Sequence, residues 1–503
     1  MEAFLLLLLT IFLPLAILLF VSRTYKINNR PPGPSGLPLI GNMHQFDSVN
    51  THIYLYNLSQ KYGPLVSLQL GSVQTLVISS ASAAREVFKN HDFCFSSRPT
   101  LVGAQRVTYN CIEIIFGRYS EYWRDMRKIT TLHLFSSKRS QSFQPVREQE
   151  VAGMVKTIRD RAAAASNIVN LSEIVMSLTS SVIFKVAFGR IYDDDEENGA
   201  AKDNKMKSFH WLLAETQSIV STFFLTDYFP VMGHLIDRLS GTWSRAQKRS
   251  KGLDDFYQKL IDESPPTSTE STQDRSFLDI LLRMRKDSSD FTLDHVKAML
   301  TDIIVAGADT SAAAVDWTMT FLIKNPTKMK KVQQEVRDLV GKKGFVDEND
   351  VQELVYLKAV VKETMRLHPP APLLIPHETI DKCVISGYQI DAKTRVYINV
   401  YAIGRDPECY ENPQEFLPER FLNSSIDFKG QHFELMPFGA GRRMCPGMSM
   451  GVATTELTLA NLLYSFNWKL PPGKKMEDID MASLPGVVVQ RKNDLCLVPE
   501  IVN

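Results

Sequence analysis

No two of the six cysteines stand as Cys-x-x-Cys; they fall at 94, 111, 383, 409, 445 and 496. A chain of 503 residues buries a large core without covalent staples. A disulfide framework is therefore excluded, and the cysteines are expected to be reduced. Excess charge of one sign is missing too. Lys and Arg number 57 against 56 Asp and Glu, and no basic domain stands out, which argues against nucleic acid as a partner. The glycine fingerprint of a dinucleotide-binding turn is absent, as is any flavin motif, so the chain is not expected to take electrons from a nicotinamide directly. Charge is almost lacking from the first 22 residues, where Glu2 stands alone.

That uncharged start is an apolar run from Ala3 to Val21. As a helix it spans about 28 Å, close to the hydrocarbon thickness of a bilayer. Arg23, Lys26 and Arg30 follow, which places the rest of the chain on the cytoplasmic side. A cleaved signal peptide fits less well: there is no basic start, the apolar core is too long, and no Ala-x-Ala site follows. Residues 1–22 are read as a membrane anchor and 23–45, with Arg30-Pro31-Pro32-Gly33-Pro34, as a semi-rigid hinge.

Residues 46–503 are read as one body, mainly α with a small β region. A short helix from His52 ends at Gly63-Pro64; alternation from Leu65 to Ser79 predicts a hairpin. Ala81 to Lys89 reads as helical. The irregular stretch to about Tyr119 is long enough to carry function as a substrate-contacting loop. Helical patterns fill 140–290, broken by polar loops at Asp193–Glu197, Pro265–Ser271 and Arg285–Asp290. The aromatic stretch Phe209–Phe229 covers a pocket or touches a membrane. Ala371 to Pro376 reads as extended, Val384 to Val400 as short strands, and Leu484 to Val487 as a turn within reach of the pocket.

The most informative stretch is Pro437-Phe438-Gly439-Ala440-Gly441-Arg442-Arg443-Met444-Cys445-Pro446-Gly447, followed by a helical pattern over Met448–Phe466. Cysteine binds metal as thiolate, and it ionises most easily beside cations and helix N-termini. Arg442 and Arg443 precede Cys445, and a helix entrance with free N–H groups follows it. A buried cysteine in an ordinary turn is the plainer alternative.

A second stretch, Thr292 to Asn325, has no proline and predicts a helix about 50 Å long. Lys297, Asp302, Asp309 and Asp316 argue against a membrane span and for a helix through the middle of the body. Its centre is Ala306-Gly307-Ala308-Asp309-Thr310-Ser311. Gly307 costs about 1 kcal/mol relative to alanine; small side chains there admit a flat cofactor and a diatomic ligand, or else a helix crossing. The Thr310 hydroxyl can bond a backbone carbonyl and relay a proton. Trp123 and Arg127, four apart, share a helix face suited to an anionic group, with Trp-on-Arg packing as the alternative. Glu363 and Arg366 share another face on a helix over Val355–Leu367, and in isolation would be a weak surface pair.

Phe438, Gly441, Arg443, Cys445 and Gly447 fit the pattern Phe-x-x-Gly-x-Arg-x-Cys-x-Gly. It resembles the haem-binding loop of the haem-thiolate monooxygenases, the cytochrome P-450 family. The stretch at Ala306–Thr310 resembles that family's oxygen-activating motif; Trp123 and Arg127 match its propionate-binding helix. Glu363, Arg366 and the Arg420 of Pro418-Glu419-Arg420-Phe421 match its Glu–Arg–Arg cluster. The resemblance covers about 31–500.

The resemblance implies a cytochrome P-450 fold behind one N-terminal transmembrane helix, and haem b with Cys445 as axial thiolate and metal ligand. Phe438 and Gly439 lie in the haem-binding loop. Arg443, Trp123, Arg127 and His377 hold the propionates, with His377 standing where relatives often have arginine. Thr310 stabilises and protonates the activated oxygen, with Asp309 on the proton path, and Glu363, Arg366 and Arg420 lock the scaffold. The implied reaction puts one atom of O₂ into a lipophilic small molecule of plant specialised metabolism. NADPH supplies electrons through a membrane-bound reductase that meets Arg124, Lys128 and Arg442, on the cytosolic side of the endoplasmic reticulum. The spelling around Glu363 and Cys445 looks most like plant microsomal enzymes of the seventy-one clan. Asn170-Leu171-Ser172-Glu173 and the tail near Pro485 look similar to the aldoxime-metabolising branch. The competing classes are a haem-thiolate isomerase or dehydratase, which needs no reductase, a non-enzymatic haem carrier, and a membrane protein with a structural cysteine.

Overall fold

The computed structural model describes residues 29–163, 167–189, 211–263 and 276–502. The expected anchor at 1–22, the start of the hinge, and the stretches 193–197 and 265–271 lie outside the described residues. In chain order the helices that shape the site are α1 (Thr51–Tyr62), α2 (Val102–Val107), α3 (Glu121–Thr130), α4 (Gln144–Ala162), α5 (Leu171–Phe188), α6 (Pro230–Leu239), α7 (Thr242–Asp262), α8 (Leu293–Lys324), α9 (Val355–Leu367) and α10 (Met448–Ser465). The strands are β1 (Leu65–Leu70), β2 (Val73–Ile78), β3 (Val169–Asn170), β4 (His377–Glu378), β5 (Cys383–Ile385), β6 (Tyr388–Ile390), β7 (Arg395–Ile398), β8 (Phe466–Lys469) and β9 (Cys496–Ile501).

The hairpin β1–β2 turns at Gly71, whose φ of +57° suits glycine. It is extended by a parallel pairing of β2 with β7, Ile78 opposite Ile398, and then by β4, His377 opposite Val396. This order, β1-β2-β7-β4, carries His377 to the edge nearest the site. A second sheet, β3-β9-β8, ties the start of α5 to the C-terminal strand.

α8 runs through the middle because its sequence is apolar on nearly every face. Val296, Met299, Leu300, Ile303 and Ile304 are buried in its first half, and Val315, Trp317, Met319 and Leu322 in its second. α5 packs along it, and α10 crosses it further on. Both α8 and α5 are long and apolar enough to cross a membrane, but the protein itself buries 78% and 61% of their apolar windows, which marks them as core helices. Around α8 one cluster gathers α4, α5, α9 and α10; another gathers α5, α7 and the first half of α8. Each fully buried Leu or Val contributes about 1.5–3 kcal/mol relative to exposure.

Three local expectations change. Ala81–Arg85 is α-helical, but Glu86–Asn90 continues as a π turn. The irregular stretch after residue 90 contains α2. The piece from Ala371 is a turn rather than extended: Leu374 has φ +51° and its N–H donates to the Ala371 carbonyl at 3.0 Å. Residues 211–220 are helical and lie over the site.

Candidate active site

The loop before α10 is shaped by its glycines and closed by one hydrogen bond. Gly439 and Gly441 have φ of +69° and +66°, and a side chain at Gly441 would strike Asp92. The Cys445 N–H donates to the Phe438 carbonyl at 2.9 Å. Sγ then sits at the mouth of α10. Burial pushes its thiol up, while the N–H groups of Gly447 and Met448 and the Arg127 guanidinium favour the thiolate. Cys445 is enclosed by protein on every side, yet its side chain is bare. Both are true because it projects into an internal cavity.

Across the cavity from Cys445 stands the middle of α8. Ala306 is exposed within a helix otherwise almost wholly buried, because it faces the same space. The Thr310 hydroxyl donates to the Ala306 carbonyl at 2.6 Å, adding a second donor to a carbonyl one turn back in the helix. Gly307 lines the cavity and also serves a helix crossing. A Cβ there would run into Ile183 Cδ1 of α5, so the close α5–α8 crossing requires the glycine. Asp309 points away from the cavity wall and accepts from Gln217 Nε2 at 2.6 Å. Burial pushes its carboxyl up to about 6, against the pull of Gln217 and Gln490.

One edge of the cavity collects cations. Arg98, Arg127 and Arg443 all line it, with His377. Arg98 donates to the carbonyls of Ile115, Ile375 and Pro376. Arg443 donates to those of Ser96 at 2.6 Å, Ile114 at 3.2 Å and Gly117 at 2.6 Å. Arg127 donates to Met444. Burial and mutual repulsion hold Arg98 well below the ordinary guanidinium range and Arg443 down at about 9; Glu113 is the acid that offsets them. A buried cluster so short of counter-charge suits an anionic ligand with more than one carboxylate. With a bare thiol beneath and small residues above, the cavity fits a flat, apolar macrocycle with acidic tails.

Two expectations need correction. Trp123 does not line the cavity wall. Its ring N–H donates to the Ile114 carbonyl at 3.0 Å and its face carries the Arg443 guanidinium at 3.8 Å. Trp-on-Arg packing is therefore present, but on Arg443 rather than on Arg127 one turn along. His377 is a poor donor. Its Nδ1 is spent on the Phe95 carbonyl at 2.7 Å. Burial, Arg98 and Arg443 oppose the second proton that would make Nε2 a donor.

Phe438 packs edge-on to Phe428 and, with Gly439, forms part of the wall. Glu363, Arg366 and Arg420 meet beneath the loop. Arg366 binds Glu363 through two hydrogen bonds, 2.7 and 2.8 Å, and Arg420 adds a third at 3.1 Å. Arg366 also reaches the carbonyls of Gly404, Pro413 and Glu415. Far from a weak surface pair, Glu363 and Arg366 are wholly buried.

Sequence reasoning missed Arg98 and the pairing of Glu113 with Asp302. Arg98 had no periodic signal, only a place before Pro99. Glu113 and Asp302 form a buried carboxyl pair; burial pushes both up, and the nearby Glu113 raises Asp302 further while the hydrogen bond with Asp302 pulls Glu113 back. Glu113 accepts from the N–H groups of Ile115 and Phe116, and Asp302 from that of Ile114 at 3.0 Å. They pin the 112–117 loop onto α8. Of the expected wall pieces, Val487 takes part and Leu484 does not; Leu484 is exposed. Arg124 and Lys128 are exposed, while Arg442 is paired with Asp92 at 2.5 Å.

A family model described as Cytochrome P450 matches residues 31–498. A soybean protein (Glycine max) named Cytochrome P450 71A9 is 47% identical over 473 residues, 93% of this chain and 92% of that protein. Strychnine-11-hydroxylase of Strychnos nux-vomica is 45% identical over 95% of this chain and 92% of its own length. The 6,7,8-trihydroxycoumarin synthase of Pastinaca sativa is 45% identical over 93% of each. Among solved structures, a zebra fish cytochrome P450 with progesterone superposes with a TM-score of 0.75 at 25% identity, covering 89% of this chain and 99% of that one.

Proposed function

Since this chain belongs to the cytochrome P450 family, in the plant seventy-one clan, we propose that Cys445 is the axial thiolate of its haem and that the chain oxidises a lipophilic ring compound on the α8 side. The enzyme is a haem-dependent monooxygenase, an oxidoreductase of plant specialised metabolism. When bound, the haem activates O₂ so that one oxygen atom enters the substrate, and the thiolate's electron density favours O–O cleavage. The observation that carries this reading is Cys445, bare inside the cavity and faced by Ala306 and Thr310.

The chain's own residues then divide the work. Gly447 and Met448 N–H groups and Arg127 hold the negative sulfur. Arg98, Arg127 and Arg443 take the propionates, with Trp123 as the platform under Arg443. Thr310 hands a proton towards the cavity, and Asp309, held by the Gln217 amide, stands on the proton path behind it. Glu363, Arg366 and Arg420 hold the scaffold. The wall offered to substrate is largely apolar, with Ile114, Val220, Leu374 and Val487, which suits the ring systems in the names of the strychnine and coumarin relatives. Asn170 and Ser172 say little about substrate, because they cap α5 and bind Asp494 and Asp316, off the cavity.

Electrons come from NADPH through a reductase that meets the face bearing Arg124 and Lys128. Thr310→Ala is expected to retain haem yet lose most of its product formation, about 10²-fold or more if proton delivery is its task. Unchanged turnover would remove Thr310 from that role. Turnover that needs neither NADPH nor reductase would favour the isomerase reading.

Residues 1–22 anchor the enzyme in the endoplasmic reticulum membrane, 23–45 form the hinge, and 46–503 form the catalytic domain on the cytosolic side. α6 supports a second membrane contact: Val231, Met232, Leu235 and Leu239 are exposed on it, Val231 by 83% and Leu239 by 79%. Val231→Glu with Leu239→Glu in a chain lacking the anchor is expected to shift the protein from the membrane to the soluble fraction on centrifugation. An unchanged distribution would leave α6 out of the membrane.

Asp309 makes a pH prediction. Its folded pKa is raised, so ionisation in place costs stability. The cost is absent below pH 3.8, accrues as pH rises to about 6, and is complete at neutrality. Asp309→Asn is expected to raise stability near pH 7.5 by up to about 3 kcal/mol and to change little near pH 4. Melting at both values checks it; an equal effect at the two would show that charge is not the cause.

A further inference from the structure

A second cavity, of about 550 Å³, lies between α2 and α7, outside the haem site. Its floor is apolar: Val107, Leu253 and the ring of Tyr257 are buried there. Three cations converge on it, Arg106 from α2 and Lys248 and Lys251 from adjacent turns of α7. None of the three has an acidic partner among the described residues. The acid in the wall, Asp254, is already engaged by Lys297 Nζ at 2.6 Å and by the Tyr109 hydroxyl at 2.7 Å. Arg106 lies over the Trp243 ring at 4.1 Å, a contact that fixes the guanidinium and spends no N–H donor.

An anion placed among three cations around one cavity is attracted by each of them. The apolar floor adds a demand for hydrocarbon next to that anion. α7 begins two residues after α6, the helix with the exposed apolar face. We propose that this groove binds the phosphate group of an amphiphilic anion, supplied by an acidic phospholipid of the membrane that α6 faces. The lipid as source rests on the reading of α6 given above; the anion chemistry does not. Val107 is wall to this groove and to the haem cavity alike, so an occupant would press on the partition between them.

The test uses the full-length holoenzyme in zwitterionic detergent micelles, with melting temperature read as lipid is added. Phosphatidic acid is expected to raise it along a saturating curve, and phosphatidylcholine to leave it unchanged. Lys248→Gln with Lys251→Gln is expected to move half-saturation up by about tenfold or more. Lys342→Gln with Lys474→Gln, both exposed elsewhere, should not move it. If inorganic phosphate at matched ionic strength reproduces the full saturating rise, the groove is a phosphate site whose source is the free anion. The proposal is overturned if the groove variant responds like the wild type, or if the remote variant loses the response equally. Should the double variant fail to fold, Arg106→Gln alone is scored by the same criterion. The α6 variants keep the outcomes apart: loss of membrane partition with the phosphatidic acid response intact separates the two readings.

Discussion

Cys445→Ala yields a folded protein whose reduced form with carbon monoxide lacks a strongly red-shifted Soret band, and whose NADPH- and reductase-dependent turnover falls to background. The physical ground is the absence of a substitute. Of the six cysteines, Cys445 is the one on the cavity wall. Cys111, in the loop above, has a thiol that burial and Glu113 push up to about 12, far from the thiolate a metal needs. Cys445 alone has helix N–H groups and an arginine aimed at its sulfur. The measurement is the difference spectrum of the carbon monoxide complex, with circular dichroism to show that the helices remain. A shifted band surviving in the variant would mean another ligand, and the whole site would have to be redrawn.

The second large effect lies in a place that touches no ligand. Glu363→Ala is expected to abolish haem-loaded protein at ordinary expression temperature. Glu363 and Arg366 have no exposed side-chain surface, and removing one partner leaves an uncompensated buried charge. That costs about 3–5 kcal/mol, against a typical net stability of about 5–15 kcal/mol. Arg366 would also lose its anchor while still spanning carbonyls of Gly404, Pro413 and Glu415, which hold the segment leading to the haem loop. Arg420→Ala removes the longer and partly exposed arm and should cost less. Chemical denaturation of the variants gives the order. If Arg420→Ala proves as damaging as Glu363→Ala, burial is not what sets the cost.

How much could be read from the chain varies with the range of the interaction. The α8 helix was legible because its signals are local: no proline, continuous apolar residues, and Asn325-Pro326 at the end. The thiolate was legible because cations, glycines and a helix start lie within ten residues of Cys445. Trp123 was half legible. The four-residue spacing placed it beside Arg127, yet the partner it stacks on comes from 320 positions later in the chain. Arg98 was not legible at all, since an arginine before a proline has no periodicity to betray it. Gly307 stood between two reasons in the sequence, a flat ligand or a helix crossing; packing supplies the partner in the crossing, Ile183 of α5, and leaves the residue on the cavity wall as well.

The sequence by itself determined the chemistry of this protein: a cysteine set among cations, glycines and a helix start, a hydroxyl in the middle of a long helix, and the order of motifs that bring them into one body. These are properties of side chains a few residues apart, where spacing alone decides which groups share a face. The tertiary structure decided which groups complete the site. It recruited Arg98, turned Trp123 onto Arg443, spent the donor of His377 on the Phe95 carbonyl, and pinned the 112–117 loop to α8 through Glu113 and Asp302. Each of those outcomes depends on contacts between segments up to hundreds of residues apart. Burial and shared charge set them, and neither is written in any local window of the chain.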